Sequence, residues 1–195
     1  MSDSKLKLSV MLEPSNSAAA RWARLTDREL VWCLRFHQAV QQRWAVRLFA
    51  VVSRLGDGVF WYGLMAALLL TEGAAAIPVV SRMLLAGAVC LALYKWLKAK
   101  TTRPRPCARH QRISPRVAPL DEYSFPSGHT LHATTFTLIA LYFYPLLAWL
   151  LLPFATLVAL SRVALGLHYP SDVLAGALLG AGLAALAVQS PFTQI

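Results

Sequence analysis

Long apolar runs separated by short polar, glycine or proline breaks dominate the chain after its first 58 residues. The clearest runs cover residues 59–71, 78–97, 129–143, 148–165 and 171–188. A helix rises 1.5 Å per residue and a bilayer core is about 30 Å thick, so about 20 residues are needed to cross it. These runs therefore predict membrane helices, and the first of them needs flanking residues or a locally thinner bilayer.

The region before residue 59 is helical in pattern but more polar. Thr26 followed by Glu29 fits a capping box and predicts that a helix begins near Asp27. The stretch from there to about Leu55 carries five arginines, so two assignments are open. It is either a spanning helix whose arginines reach the interface or an amphipathic helix lying in the interface. The glycine-flanked Asp57 is predicted to be the break after this helix.

Two further segments complete the predicted organisation. Residues 1–26 are expected to form a polar N-terminal arm, and residues 98–128 one substantial loop, since prolines at 104, 106, 115 and 119 interrupt any helix there. The predicted fold is all-α, an integral membrane bundle of about six transmembrane helices. It occupies residues 27–195 as a single domain.

Composition agrees with a membrane location. The chain of 195 residues is 57% hydrophobic and carries a net charge of +10. Its basic residues are concentrated outside the most apolar runs, which indicates lipid headgroups or phosphate substrates as partners and argues against nucleic acid. The three cysteines, Cys33, Cys90 and Cys107, suggest neither a disulfide framework nor a metal site. Residues 1–20 lack the apolar core of a cleavable signal, so the first membrane helix is expected to direct insertion.

Candidate chemistry appears where charge is otherwise avoided. From Tyr123 to the end, Arg162 and Asp172 are the only formally charged side chains, and His168 lies between them. An ionisable group beside hydrocarbon is costly and is therefore a functional candidate. Asp172 is close enough in sequence to accept a hydrogen bond from Nδ1 of His168, which would leave Nε2 free to attack. The plainer alternative is an Arg–Asp pair at the membrane surface with an incidental histidine.

Two more clusters extend this pattern. Residues 98–106 begin with Lys98 and contain Arg105-Pro106, and residues 126–129 read Pro-Ser-Gly-His. With the segment 161–172 they give K-x6-R-P, P-S-G-H and S-R-x5-H-x3-D in this order. In these motifs the chain resembles the phosphatidic acid phosphatase type 2 superfamily, and its apolar segments resemble the membrane-bound branch. This resemblance favours a spanning first helix, over about residues 31–52.

The resemblance implies roles for the matched residues. His168 is expected to be the nucleophile that forms a phosphohistidine, and Asp172 to orient it. His129 is expected to be the general acid for the departing oxygen and then the base that activates water. The remaining matched residues are expected to bind the phosphoryl oxygens: Lys98, Arg105, Ser127, Gly128 and Arg162. The other arginines of the loop, Arg103 among them, are expected to face solvent or headgroups.

Helix parity supports a common site. With six helices, the ends of helices 3 and 5 and the starts of helices 4 and 6 emerge on one face. The motif residues can therefore meet there. Basic residues are ambiguous guides to orientation, because the N-terminal arm competes with the loop 98–128. An active site needs its cations wherever the substrate lies, so the basic residues of the loop are left out of the count. The count then predicts that both termini lie in the cytoplasm and the site on the periplasmic or outer face of a bacterial inner membrane.

The sequence thus predicts a metal-independent membrane phosphatase that needs no cofactor and acts on a lipid phosphate or lipid diphosphate. Undecaprenyl diphosphate, phosphatidate and phosphatidylglycerol phosphate are candidate substrates, and the oligomeric state is left open. Three alternatives remain: a lipid phosphotransferase with a lipid diphosphate donor, a channel or transporter with a basic vestibule, and a metal-dependent hydrolase. The metal ligands of the last would be His129, His132, His168 and Asp172.

Overall fold

The structure, a computed structural model, describes residues 18–113, 115, 117–118 and 121–190, and side chains from residue 26 onward. Most of the predicted N-terminal arm lies outside these residues. The helices are α1 Ala18–Ala39, α2 Arg43–Arg54, α3 Phe60–Glu72, α4 Ile77–Thr101, α5 Pro106–Arg109, α6 Gly128–Phe143, α7 Ala148–Ala164 and α8 Pro170–Gln189. A π-helical segment, Leu55–Val59, joins α2 to α3, and 3-10 turns, Gly73–Ala76 and Pro145–Leu147, precede α4 and α7.

The predicted first spanning helix, residues 31–52, is wrong. The chain leaves the helix after Ala39 and re-enters it at Arg43, and Thr26 lies inside α1 instead of capping it. Glu29 accepts a hydrogen bond from the Ser171 amide at 2.9 Å, and His37 Nδ1 lies 3.2 Å from the Ala164 carbonyl. Because one contact is made to the end of α7 and the other to the start of α8, α1 lies across the ends of those helices. This is the placement that the amphipathic alternative requires.

The sequence predicted that Asp57 is the break after the first helix, but the chain does not reverse its direction there. The helix kinks within the π-helical segment, where Gly58 has a φ of 140°, and then continues into α3. Three contacts in regular antiparallel order along α7 establish this, namely Ser53 with Arg162, Gly56 with Val158, and Phe60 with Phe154. The segment α2–α3 is therefore one kinked helical run beside α7.

The four predicted helices that follow are confirmed to within a few residues. The closest packing is between α6 and α8, where two glycines allow the backbones to meet. A Cβ at Gly176 would lie 2.6 Å from the Ser127 carbonyl oxygen, and one at Gly180 would lie 2.6 Å from that of Leu131. Any larger residue would push the helices apart, so these glycines hold the starts of α6 and α8 together.

The outer surface is apolar. Three helical stretches of the described chain are long and apolar enough to cross a membrane, namely Arg43–Thr101, Pro145–Ala164 and Pro170–Gln189. Large side chains such as Leu70, Leu146 and Leu178 are mostly exposed on them, which a water-soluble surface rarely tolerates. The interior is filled by Trp61, Met83, Ile139 and Leu151, all fully or almost fully buried. The predicted all-α membrane bundle is confirmed, with the helix count approximate.

Candidate active site

One cavity of about 410 Å³ gathers most of the residues singled out by the sequence. The end of α4, the loop after it, the start of α6, the end of α7 and the turn before α8 all contribute to its wall. The matched residues on this wall are Lys98, Arg105, Gly128, His129, Arg162 and His168. These side chains therefore meet at one end of the bundle, as the parity of the helices predicted.

His168 occupies a tight turn between α7 and α8, and its side chain is only 1% exposed. Gly166 begins that turn with a φ of 72°, a conformation that favours glycine. Arg105 Nη1 lies 3.2 Å from Nε2 of His168. A guanidinium can only donate, so Nε2 is the acceptor and carries a lone pair, and the proton of the neutral ring lies on Nδ1.

The surroundings of His168 disfavour its protonated form. Burial, followed by the positive charges of Arg162 and Arg105, holds the pKa of the His168 imidazole well below its usual value of 6.5. The ring is therefore neutral at neutral pH when the cavity holds no anion. A neutral ring with a lone pair on the cavity-facing nitrogen is the form that a nucleophile requires.

Asp172 lies beside His168 but is engaged elsewhere. Its Oδ2 is 3.6 Å from Nδ1 of His168, beyond hydrogen-bonding distance, and accepts a hydrogen bond from the Tyr169 amide at 2.8 Å. Arg103 donates to its Oδ1 at 2.6 Å and to Glu29 of α1 at 2.5 Å. The expectation that Arg103 faces solvent or headgroups is wrong, because this buried carboxylate needs a cation.

Arg103 is correspondingly held in its charged form. Burial lowers the pKa of its guanidinium, but the charges of Asp172 and Glu29 outweigh that effect and raise the pKa above its usual value. The hydrogen bonds from Arg103 to Glu29 of α1 and to Asp172 thus fix the Asp172 carboxylate beside His168.

Two of the expected phosphate-binding cations hold a carboxylate instead. Lys98 Nζ donates to both oxygens of Asp121, at 2.7 and 2.6 Å, and Arg105 Nη2 donates to Oδ1 at 2.6 Å. Burial raises the pKa of the Asp121 carboxyl, yet the bond and charge of Lys98 and the charge of Arg105 lower it below its usual value. The ionised carboxylate of Asp121 therefore accepts the hydrogen bonds of Lys98 and Arg105 that phosphoryl oxygens are expected to accept.

Arg162 is almost completely buried, with 3% of its surface exposed. Its Nη1 donates to Ser53 at the end of α2, whereas its Nε has no hydrogen-bond partner within the described part of the chain. An orphaned guanidinium nitrogen on a residue that lines the cavity is a ready donor for an oxyanion.

Of the three matched residues at the start of α6, two line the cavity and one does not. Ser127 caps the helix, since its Oγ lies 3.0 Å from the Thr130 hydroxyl and accepts from the Thr130 amide at 3.5 Å. Its side chain is fully buried away from the cavity wall, so the structure does not place it among the phosphate ligands. Gly128 does line the cavity, and His129 follows it with Nε2 hydrogen-bonded to Asp57.

The alternative metal site is not assembled. His132 Nδ1 lies 2.9 Å from the Gly128 carbonyl and Nε2 lies 3.2 Å from that of Gly87, so its ring is occupied by backbone oxygens. Among the described residues, no group of three or more His, Cys, Asp or Glu side chains is arranged to hold a metal ion.

Sequence reasoning missed several contributors to the site: Glu29, Ser53, Asp57, Arg103 and Asp121. For Asp57 a signal existed, because it is an ionisable residue between apolar segments, and it was interpreted only as a break. Asp121 was given no role, because its contact with the cations depends on loop geometry that the sequence pattern does not reveal.

Comparisons with known proteins agree on the family of this chain. The family model of the PAP2 superfamily matches residues 75–195. Decaprenylphosphoryl-5-phosphoribose phosphatase of Mycobacterium tuberculosis is 40% identical over 144 residues, which cover 69% of this chain and 74% of that protein. Undecaprenyl-diphosphatase of Sulfolobus acidocaldarius is 45% identical over 69 residues, or 35% of this chain. That match spans about a third of the archaeal protein's own length, 34%.

A solved structure supports the fold. The chain resembles the crystal structure of a transmembrane PAP2-type phosphatidylglycerolphosphate phosphatase from Bacillus subtilis, with a TM-score of 0.65 and 24% identity. The likeness covers 94% of this chain and 91% of that one. Together with the apolar helices, it identifies the chain as an integral membrane protein.

Proposed function

Because the chain belongs to the PAP2 superfamily, we propose that it is a membrane lipid phosphatase that works through a phosphohistidine on His168. The observation that carries this proposal is the bond from Arg105 Nη1 to Nε2 of His168. It identifies Nε2 as the nitrogen that carries the lone pair of the neutral ring, in the cavity that Lys98, Arg105 and Arg162 also line. Arg105 must release this lone pair before Nε2 can attack. Nucleophile and phosphate-binding charges therefore converge on one cavity.

In the first step, the phosphoryl group of the substrate replaces the Asp121 carboxylate on Lys98 and Arg105. Arg162 supplies a further donor through its free Nε. Nε2 of His168 attacks phosphorus as the bond to the leaving oxygen breaks. Protonated His129 gives its proton to that oxygen, so the alcohol or lipid phosphate departs without an unstabilised negative charge.

In the second step, water attacks the phosphohistidine. Neutral His129 accepts a proton from the water, the N–P bond breaks, and inorganic phosphate leaves. His168 returns to its neutral form. While the ring carries the phosphoryl group it is cationic, and the Asp172 carboxylate 3.6 Å from Nδ1 stabilises that charge. Lys98, Arg105 and Arg162 supply the positive charge, so we expect chelators to leave activity unchanged.

The walls of the cavity favour a substrate embedded in the bilayer. Beyond the charged residues the lining is apolar, and Tyr62 of α3 together with Leu84 and Leu91 of α4 belongs to it. These three side chains are 65%, 50% and 43% exposed, respectively. The cavity therefore opens between α3 and α4 onto the apolar surface. A lipid chain can lie there while its phosphate reaches His168.

The substrate class follows from this opening and from the relatives. The M. tuberculosis relative that aligns with most of this chain is named for a polyprenyl-linked substrate. The archaeal relative is also named for a polyprenyl diphosphate. We therefore place lipid phosphates and diphosphates, with polyprenyl chains first, ahead of soluble phosphate esters.

The orientation is testable separately. We propose that the site faces the periplasm or outer side of a bacterial inner membrane. Arg112 lies exposed in the loop that carries the site. After Cys107 is replaced by Ser, Arg112→Cys should react with a membrane-impermeant maleimide in cells whose outer membrane has been made permeable. Labelling only after disruption of the inner membrane would place the site in the cytoplasm.

Phosphate release from purified protein in detergent tests the activity. The substrates are undecaprenyl diphosphate, a polyprenyl monophosphate, phosphatidate, phosphatidylglycerol phosphate and a soluble aryl phosphate. We expect free phosphate from at least one lipid, equally with and without EDTA. Dependence on an added lipid acceptor would favour the phosphotransferase, and loss on chelation would favour a metal hydrolase. No turnover of any lipid phosphate would overturn the proposal.

A further inference from the structure

Asp57 holds an unusual place in the site. It lies in the π-helical segment Leu55–Val59, between Gly56 and Gly58, in an otherwise apolar helical run. Its carboxylate lines the cavity and accepts a hydrogen bond from Nε2 of His129, while its side chain remains 33% exposed. π-helical insertions are rare and frequently occur at functional sites.

The local backbone explains how Asp57 reaches His129. At Gly56, a Cβ would come within 3.1 Å of Val158, so a larger residue would push this segment away from α7. Gly58 adopts a φ of 140°, which side-chain-bearing residues rarely adopt. The two glycines thus let the helix lie against α7 and kink, which turns the residue between them toward α6.

Asp57 lies outside the part of the chain that matches the superfamily, which begins at residue 75. Ser53, at the end of α2 just before this segment, accepts a hydrogen bond from Arg162. The end of α2 and the π-helical segment therefore contact two residues of the cavity, one on α6 and one on α7. This is more than packing would require of a helix bend.

We propose that Asp57 is a positioning residue that holds the His129 ring correctly turned for proton transfer to the leaving group and stabilises its protonated form. The inference rests on the proposed function. A carboxylate can only accept, so Nε2 of His129 carries a proton, and the hydrogen bond fixes the ring. Nδ1 is then the atom that gives its proton to the leaving oxygen and later takes one from water. Asp57 itself neither gains nor loses a proton.

The main alternative is that Asp57 acts on phosphate binding. Arg162 is close enough for its charge to act on Asp57, so the carboxylate could serve as its counter-ion. The two roles differ in kinetics. A partner of His129 affects the chemical step most when the leaving oxygen is strongly basic. A counter-ion of Arg162 affects all substrates equally, because every substrate presents a phosphoryl group.

The test compares two substrates in each enzyme preparation: a phosphate monoester of an alcohol and an aryl phosphate with a stable leaving anion. The rate compared is kcat/KM, which reports formation of the phosphoenzyme alone, and the ratio of the two values does not depend on how much of the preparation is folded. We expect His129→Ala and Asp57→Asn to lower this ratio, each by roughly tenfold or more, within the span of general acid catalysis. Asp57→Glu should restore part of it. Asp27→Asn, which removes an exposed carboxylate paired with Arg109 at 3.4 Å, should leave the ratio unchanged.

The double variant settles which residue Asp57 acts through. In the His129→Ala background, Asp57→Asn should have no further effect on the ratio, since the group that it positions is absent. A full additional loss there would overturn the proposal, and so would an Asp57→Asn variant that loses both rates equally. If Asp57→Asn does not fold, Asp57→Ser is measured in the same way. Failure of the wild-type protein to hydrolyse these two substrates and every lipid phosphate or diphosphate would instead refute the proposed function.

Discussion

The cavity contains two histidine–carboxylate pairs with opposite surroundings. His168 and Asp172 are 1% and 0% exposed, lie 3.6 Å apart without a hydrogen bond, and are flanked by Arg105 and Arg103. His129 and Asp57 are 10% and 33% exposed and are hydrogen-bonded directly. In the first pair Nε2 of His168 accepts a hydrogen bond from Arg105, so this nitrogen carries a lone pair, whereas in the second pair Nε2 of His129 donates to Asp57, so this nitrogen carries a proton. A nucleophile needs the former and a general acid needs the latter.

The comparison assigns the attack to one histidine alone, so removing it has the largest expected effect. His168→Ala should lower kcat on any substrate by at least about a thousandfold, because no other cavity side chain is placed as a nucleophile. His110→Ala, a loop histidine off the cavity wall, is the matched control and should keep full activity. Activity within tenfold of wild type in His168→Ala would contradict the assignment, provided that thermal unfolding shows a folded protein.

The carboxylates of the two pairs should differ in their demand for a cation. Asp172 is fully buried and depends on Arg103, whereas Asp57 is partly exposed. Arg103→Gln should therefore lower the free energy of unfolding by about 3 kcal/mol, as expected when one member of a buried ion pair is removed. Arg109→Gln breaks a pair whose side chains are 36% and 64% exposed, and should cost about 1 kcal/mol or less. Equal losses, measured by unfolding in detergent, would show that Arg103 is not needed to compensate Asp172.

The sequence predicted where the motif residues lie better than it predicted which residues they contact. Six of the eight matched residues line the cavity, because three motifs at helix ends and the parity of the helices constrain where they can lie. The first helix was misassigned, since its arginines and the Gly-Asp-Gly segment fit a break as well as a π-helical kink, whereas the run predicted over residues 59–71 is confirmed as α3. Arg103 and Asp121 received no role, because a basic loop pairs its charges through a fold that no periodicity reveals. Ser127 illustrates the same limit, as its hydroxyl caps α6.

Lys98 and Arg105, the cations near His168, are already bonded to Asp121. Removing the charge of this carboxylate should therefore have a moderate effect on anion binding. Asp121→Asn removes the charge that competes for Lys98 and Arg105. Vanadate and phosphate should then bind about tenfold more tightly, or about 1.4 kcal/mol, the scale of one charge-assisted hydrogen bond. Glu122→Gln changes the net charge equally at an exposed neighbouring position and should have little effect. Unchanged inhibition constants in Asp121→Asn would mean that the carboxylate does not occupy the phosphate site.

The smallest expected effect concerns pH. Since burial and the neighbouring cations hold the pKa of His168 well below 6.5, its lone pair should persist as the pH falls from 7 to about 5.5. An aryl phosphate, which needs little help from His129, isolates this step. Its kcat/KM, corrected for the ionisation of the substrate, should stay level over that range. A decline with a midpoint at or above pH 6.5 would contradict the neutral, cation-flanked nucleophile.

The most direct test of the account is to locate the covalent phosphate. His129→Ala should accumulate phosphoenzyme from an aryl phosphate, because the attack on phosphorus continues while the activation of water is slowed. Protein quenched in alkali during turnover and digested for mass spectrometry should carry acid-labile phosphate on the peptide that contains His168. The label should be absent from His168→Ala. Phosphate on another residue, or active protein with no phosphoenzyme under rapid quenching, would contradict the account.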